Sequence, residues 1–461
     1  MPPRCSARLA AEADARASGA LAPLPLALAQ RIFASLPPDS RGRAACVCRS
    51  WRQLLANPAL WTRLVWRSSN WDPARNDAVL RGVSGRARGQ LCHLDVSDCI
   101  SYMPRVLLAV IAANAGSLRE LRVLGLHARR ENDPCPALVP LLRAALLCVL
   151  DAVTFECDWE DAPRLVRSET PFTPRLRPRE LRVQCGDGRE WYGPPGGADR
   201  VTPYLAALAD AAPQPTLTSL VLVRADLRPP EVMDALADAA LAWRLRLRTL
   251  VLICCPTPAA APLARLLCNS SLATFEYSTV GGAHARLVAD AAGAALVAAA
   301  LRASTSLTSL SLSNAGLCAD PYVAAPLLGA LVGHPTLKIL SLSEEPDTEA
   351  FALGAALGAL VAADAPALQE LRLVDVALGG EGWAPLAAAL PGNHHLRGLY
   401  AINTGMMPEF ARTRLLPAVQ ANASLRELHS NGGGDPLRDA SNLVANRPPV
   451  AGWVSTWELE D

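Results

Sequence analysis

Leu307-Thr308-Ser309-Leu310-Ser311-Leu312 decides the fold. The alternation at 310 and 312 reads as a short strand with one buried face, because successive strand side chains point to opposite sides. The same spacing returns at residues 217–222, 247–252 and 368–373. Less regular copies centre on Leu94, Leu121, Leu150, Leu181, Phe275, Leu340, Leu399 and Leu428. Central positions lie roughly 25 to 39 residues apart, inside or close to the periods of stacked repeat folds. Between them, residues 201–212, 231–242, 284–303, 349–363 and 408–420 carry helical periodicity. One strand and one helix cannot bury their shared apolar face alone, so neighbouring units stack into a continuous core. The predicted class is α/β: a curved solenoid, or horseshoe, with inner parallel strands and outer helices.

These units resemble leucine-rich repeats of the ribonuclease-inhibitor type, over about residues 91–431. That resemblance implies Asn or Cys three residues after the last strand leucine, bonding neighbouring turns. Cys99 and Cys255 fit, whereas Ala225, Ala315 and Val376 stand at the same place. The expectation is an incomplete ladder and a looser solenoid. Residues 186–198, with Trp191 and Tyr192 among glycines and prolines, read as a surface loop.

A different pattern occupies residues 24–64. Leu24, Leu28, Ile32 and Leu36 recur every fourth residue, which stacks them on one helical face. Pro25 suits a first helical position, and Pro37-Pro38 stop the helix. Asp39 or Ser40 is placed to cap a second helix. Residues 46–55 read as a third helix, with Val47 and Trp51 on one side, and Leu60 and Trp61 fold back as a plug. Three such helices are too few to bury all their apolar surface. Leu24, Pro25, Leu28 and Ile32 stay partly exposed, and patches of that kind mark partner surfaces.

The spacing of this stretch resembles the F-box. Ala27 stands where that family usually has Glu, and Ser40 where it often has Leu. The resemblance implies that Leu24, Pro25, Leu28, Ile32, Leu36, Val47, Trp51 and Trp61 form or support a surface docking a Skp-type adaptor and, through it, cullin. The chain would then be the substrate-recognition subunit of a Skp–cullin–F-box ubiquitin ligase. Its repeats would hold a protein substrate, and it would do no bond chemistry itself. The alternative is a leucine-rich-repeat scaffold that binds a partner without ubiquitin transfer.

Side-chain alternation also places a second set of candidates on the inner face. Val221, Val223, Val251 and Ile253 flank strand leucines and would form an exposed apolar patch for a substrate, with Trp191 and Tyr192 as aromatic anchors. Serines at 311, 313, 341 and 343 follow, then Arg372, Tyr400 and Ile402.

The expected organisation is a disordered leader at 1–23, the F-box-like unit at 24–64 and a connector at 65–90, whose part with Gly82, Gly85 and Gly89 reads as a turn or short loop. The repeats follow at 91–431, then a C-terminal cap and tail at 432–461. Half of the residues are apolar and the net charge is +1, so neither nucleic acid nor an anionic membrane is favoured as a partner. The 13 cysteines follow no framework spacing, which suits a reduced compartment, cytoplasm or nucleus. No Gly-Lys-Ser/Thr loop, His-Glu-x-x-His, Gly-x-Ser-x-Gly or Cys-x-x-Cys occurs, so no catalytic residue, metal site or cofactor is expected. His394-His395 and Glu344-Glu345 read as exposed turns.

Overall fold

The computed structural model describes residues 26–66, 73–96, 104–123, 152–158, 180–184 and 218–448. The last span lacks 224, 226, 229, 243–246, 270, 280–285, 319, 345–349 and 432–434. The expected leader, the helix at 201–212, the loop at 186–198 and the tail from 449 lie outside the described residues. The chain divides into two compact units, Met1–Val183 and Gln184–Asp461.

The first unit opens with three short helices, α1 (Leu26–Ser35), α2 (Pro38–Ala44) and α3 (Arg49–Leu55), and a 3-10 turn at Pro58–Trp61. Then come β1 (Arg63–Val65), α4 (Pro73–Ala87), β2 (His93–Asp95), α5 (Pro104–Ala113), β3 (Glu120–Val123) and β4 (Ala152–Asp158). The strands pair in parallel, with Leu64, Leu94, Leu121 and Val153 in register. Strand–helix repetition therefore begins at Arg63, ahead of the expected start at 91, and the fourth central residue is Val153 instead of Leu150. The glycine-bearing part of the connector, expected as a turn, is helix α4. Leu80, Val83 and Ala87 bury one side of it. Gly82 and Gly85 both lie inside this helix.

After β5 (Glu180–Gln184), the second unit runs β6 (Ser219–Val223), α6 (Pro230–Ala242), β7 (Thr249–Ile253), α7 (Ala260–Leu267), β8 (Thr274–Ser278) and α8 (Ala291–Ala303). It continues with β9 (Ser309–Ser313), α9 (Pro321–Leu331), β10 (Ile339–Ser343), α10 (Phe351–Ala362), β11 (Glu370–Val374) and α11 (Gly379–Ala389). Strand β12 (Gly398–Ile402), helical segment α12 (408–421, wound as a π-turn at Ala411–Leu415), β13 (Glu427–Ser430) and α13 (Asp435–Ala445) complete it. Strands β6 to β13 pair in parallel in chain order. Leu220, Leu250, Phe275, Leu310, Leu340, Leu371, Leu399 and Leu428 fall in one registered column, all buried. Parallel strands need a long crossover, and the helices supply it. Asp290 and Asp320 start two of them by accepting from Gly293 N (2.7 Å) and Tyr322 N (2.9 Å). Helices α10 and α11 approach so closely that a Cβ on Gly354 would overlap the backbone of Gly382. This is the strand-and-helix stack of a leucine-rich-repeat solenoid.

Side chains at the helix-to-strand turns tie each repeat to its neighbour. Asn269, His334, Asn393 and Asn422 each stand three residues before the first leucine of the next strand. Asn393 Nδ2 donates to Val361 O (2.8 Å), while its Oδ1 accepts from His395 N (3.1 Å) and Leu396 N (2.7 Å). Asn422 repeats this with Leu390 O (2.7 Å), Ser424 N (2.9 Å) and Leu425 N (2.8 Å). His334 does the same work with a ring: Nε2 faces Leu301 O (3.0 Å) and Nδ1 accepts from Leu337 N (3.1 Å). A second column lies where the strands end. Cys254, Asn314, Asp375 and Asn403 have φ of 53°, 50°, 57° and 52°, a left-handed bend that Asn and Asp tolerate better than other non-glycine residues. Asn403 Nδ2 donates to Asp375 Oδ1 (2.8 Å).

The expected ladder three residues past the last leucine is a third, minor contribution. Cys255 Sγ reaches Leu222 O of the preceding repeat (3.7 Å), while Ala225, Ala315 and Val376 are buried and apolar; Cys99 lies outside the described residues. The ladder at this position is incomplete, as expected, and the other two columns supply further bonds between turns.

His334 makes this pattern sensitive to pH. With Nδ1 accepting an amide proton, the ring is neutral with its proton on Nε2. Burial lowers its pKa from 6.5. The unfolded chain then binds the proton first, so the stabilisation is complete above about pH 6.5 and is lost as pH falls toward the lower folded value. Thermal unfolding from pH 7.5 to 5 should show wild type losing more stability than His334→Asn, which keeps an acceptor and a donor but cannot titrate. Parallel curves for the two proteins would contradict this role.

Candidate functional site

The three N-terminal helices close around Trp61, which is 0% exposed. Its Nε1 donates to Leu55 O (2.7 Å) at the end of α3. Arg41 of α2 lies over its ring, 5.2 Å from the centroid, and Arg86 of α4 lies at 4.8 Å. Arg41 is itself buried and donates from Nε to Leu36 O (2.8 Å) and from Nη1 to Leu60 O. Burial lowers its pKa, yet a guanidinium stays protonated. On α1, Ala29 and Phe33 face inward, and Phe33 meets Trp51 edge-on at 5.2 Å. Asn57 Oδ1 accepts from Ala59 N (3.1 Å) and starts the turn that carries Trp61.

The adjoining strip of α1 is apolar and uncovered. Leu28 is 43% exposed and Ile32, one turn on, is 45% exposed. Val47, in the turn between α2 and α3, is 59% exposed. Around them Arg31, Arg43, Arg49, Arg52 and Arg63 are exposed, and the sequence of 26–66 holds a single acid, Asp39. Such a surface suits a partner that offers apolar pockets rimmed by carboxylates.

The F-box-like family model matches residues 21–67. That span contains Trp61, Arg41, Leu55 and the Leu28–Ile32 face, while Arg86 lies beyond it. A comparison with curated proteins finds no match. Similar solved structures include a Bacteroides fragilis protein at 14% identity, over 64% of this chain and 76% of that one, with a TM-score of 0.35. An internalin of Listeria monocytogenes is also 14% identical, over 80% of this chain and 93% of its own, with a TM-score of 0.30.

Within the F-box-like segment, the eight residues named from sequence separate into distinct positions. Leu24 and Pro25 lie outside the described residues. Leu28, Ile32 and Val47 are exposed, Leu36 and Trp51 half-buried, and Trp61 fully buried. Trp61 therefore supports the surface without forming it. Two local readings are corrected. Helix α2 starts at Pro38 with Pro37 at its cap position, so Asp39 and Ser40 stand inside the helix and not ahead of it. Helix α3 starts at Arg49, capped by Cys48 Sγ accepting from Trp51 N (3.5 Å), which leaves Val47 outside the helix.

The inner-face candidates fare differently. Val221 and Val223 are buried, and Val251 and Ile253 half-buried, so the expected exposed patch is corrected. Val221 registers with Val251 and Val223 with Ile253, and strands about 4.8 Å apart let branched side chains screen one another. Trp191 and Tyr192 lie outside the described residues. Sequence reasoning placed Arg372 and Tyr400 on this face but missed the side chains they engage on β11 to β13. Arg372 pairs with Glu370 (3.0 Å) and lies over Tyr400, which stacks on His429 at 5.1 Å and donates to Glu427. Glu370, Arg372 and Tyr400 are buried, while His429 is exposed. Their recurrence as charged-Leu-polar triplets, Glu370-Leu-Arg372 and Glu427-Leu-His429, was the available signal.

The turn residues also differ in part. His394 is an exposed turn residue, bonded through Nδ1 to Asp364 (2.9 Å). Glu344, expected in an exposed turn, is buried because its carboxylate accepts from Leu317 N (3.0 Å). Among the described residues no group of three His, Cys, Asp or Glu is placed to hold a metal, and no helix is long and apolar enough to cross a membrane.

Trp61→Ala should destabilise the first unit by about 3–5 kcal/mol, as expected for an emptied aromatic site. Leu28→Ala should change its stability by no more than about 0.5 kcal/mol. Denaturant unfolding of both full-length variants checks this; equal losses would place Leu28 in the core.

Proposed function

We propose that the chain is the substrate-recognition subunit of a Skp–cullin–F-box ubiquitin ligase. The observation that carries this reading is the uncovered Leu28–Ile32 face, held rigid from behind by Trp61, inside the F-box-like match. A Skp-type adaptor would cover the leucine and isoleucine, and cullin would follow through the adaptor. The repeats would bind a protein substrate along their inner strand positions. Val251, Ile253, the serines at 311, 313, 341 and 343, Ile402 and His429 are inner-face residues that keep some access to solvent. The chain would make and break no bonds, and would act by holding a substrate near a separately bound, ubiquitin-charged enzyme. Such work belongs to the cytoplasm or nucleus.

The test is co-purification of tagged full-length chain with a Skp-type adaptor and cullin. Leu28→Asp with Ile32→Asp should weaken adaptor binding by at least about 30-fold, the loss of roughly 2 kcal/mol typical of an interface anchor. Thermal stability should stay within a few degrees of wild type. Equal adaptor retention by wild type and the double variant would overturn the assignment of this face. Adaptor binding without cullin would favour the scaffold alternative.

A further inference from the structure

Of the chain's 44 lysines and arginines, position 338 alone is a lysine. Lys338 sits immediately before β10, in the turn that leads from α9 into the strand. Its main chain is held from both sides: its N–H donates to Thr308 O (2.8 Å), and its O accepts from Gln369 N (2.8 Å) and Glu370 N (2.9 Å). The same backbone bond links Arg248, Ala273, Thr308, Lys338, Gln369, Arg397 and Arg426 in succession, each to the next repeat. The side chain, by contrast, is exposed. Its neighbours in that column, Thr308 and Gln369, are uncharged, and among the described residues no carboxylate forms an ion pair with it. A fixed backbone, an unrestrained amine and no competing lysine make this an acceptor position, not a structural ion pair.

We infer that Lys338 is the site at which a ubiquitin-type modifier is joined to this chain, an inference that rests on the proposed ligase role. The Nζ lone pair attacks the thioester carbonyl at the modifier's C-terminal glycine on a charged conjugating enzyme. A C–N bond forms, the C–S bond breaks, and the departing thiolate takes up the proton the amine releases. The many arginines cannot substitute, since a guanidinium keeps its proton and is no nucleophile. Apart from the amino terminus, Lys338 is the only primary amine the sequence offers. Self-modification on a side-chain amine therefore falls at one position of the second unit, next to the inner strand positions Ile339 and Ser341.

The fold supplies a clean control. Arginine already occupies the equivalent backbone position at 248, 397 and 426. Lys338→Arg therefore yields a lysine-free chain with the column intact. The experiment uses full-length, amino-terminally acetylated chain assembled with a Skp-type adaptor, cullin and a charged conjugating enzyme. The modifier is lysine-free ubiquitin, so each acceptor carries one copy. Wild type should give a single adduct whose glycine remnant maps to Lys338. Lys338→Arg should lose at least ten-fold in adduct while keeping its melting temperature and its adaptor. An adduct undiminished in Lys338→Arg would overturn the inference by pointing to a hydroxyl or thiol acceptor. Unmodified wild type would overturn it too, if adaptor and cullin are bound and an amine-reactive ester still labels Lys338. Failure of wild type to bind adaptor at all would instead remove the ligase reading, and this inference with it.

Discussion

Each helix of the repeats ends in carbonyls that nothing within the helix can satisfy, and stacking buries them. The chain meets this constraint with a side chain from the next turn. Asn393 and Asn422 hold Val361 O and Leu390 O, and His334 holds Leu301 O, each while accepting amides of its own turn. The first unit joins its turns the other way round: Asn114 Nδ2 donates to Val110 O of its own helix (2.8 Å), and its Oδ1 accepts from Leu91 N of the preceding repeat (3.1 Å). Because one group reaches from repeat to repeat, spacing and register are set together. The leucine column from Leu220 to Leu428 follows from that spacing. So does the row of inner positions that faces away from the core.

The N-terminal helices obey a different balance. A bundle of this size cannot surround α1, so one of its faces is buried and one is left over. Trp61 decides which. Its indole bond to Leu55 O and the two guanidinium groups against its ring fix the turn after α3. Ala29 and Phe33 are then inside, and Leu28 and Ile32 outside. The result is an apolar face on a prebuilt support, which a partner can cover without refolding the chain. Preorganisation of this kind lowers the entropic cost of association.

Strands were legible in the sequence wherever two leucines alternate, and their centres fell in one register from Leu220 onward. The helix α4 was not, because glycines at 82 and 85 were read as a turn; Leu80, Val83 and Ala87 outweigh them once the helix has a surface to pack on. The Asn and His column was present in the sequence, as Asn269-x-x-Leu272, His334-x-x-Leu337, Asn393-x-x-Leu396 and Asn422-x-x-Leu425. Its role lies in bonds to the preceding helix end about thirty residues back, which no single turn reveals. For the docking face, a period of four found Leu28 and Ile32 but could not tell core from surface, since Ala29 and Phe33 share that period. Val221 and Val223 show the converse failure. Alternation placed them on the inner face, yet branched neighbours in register shield them, which no single strand reveals.

The central claim is that α1 carries a finished support and an unfinished surface. Hydrogen–deuterium exchange of the full chain, alone and with a saturating Skp-type adaptor, tests it most directly. The account predicts added protection across residues 26–55, centred on α1, with the strands β6 to β13 unchanged. Protection confined to the repeats, or no change in α1 despite bound adaptor, would contradict it.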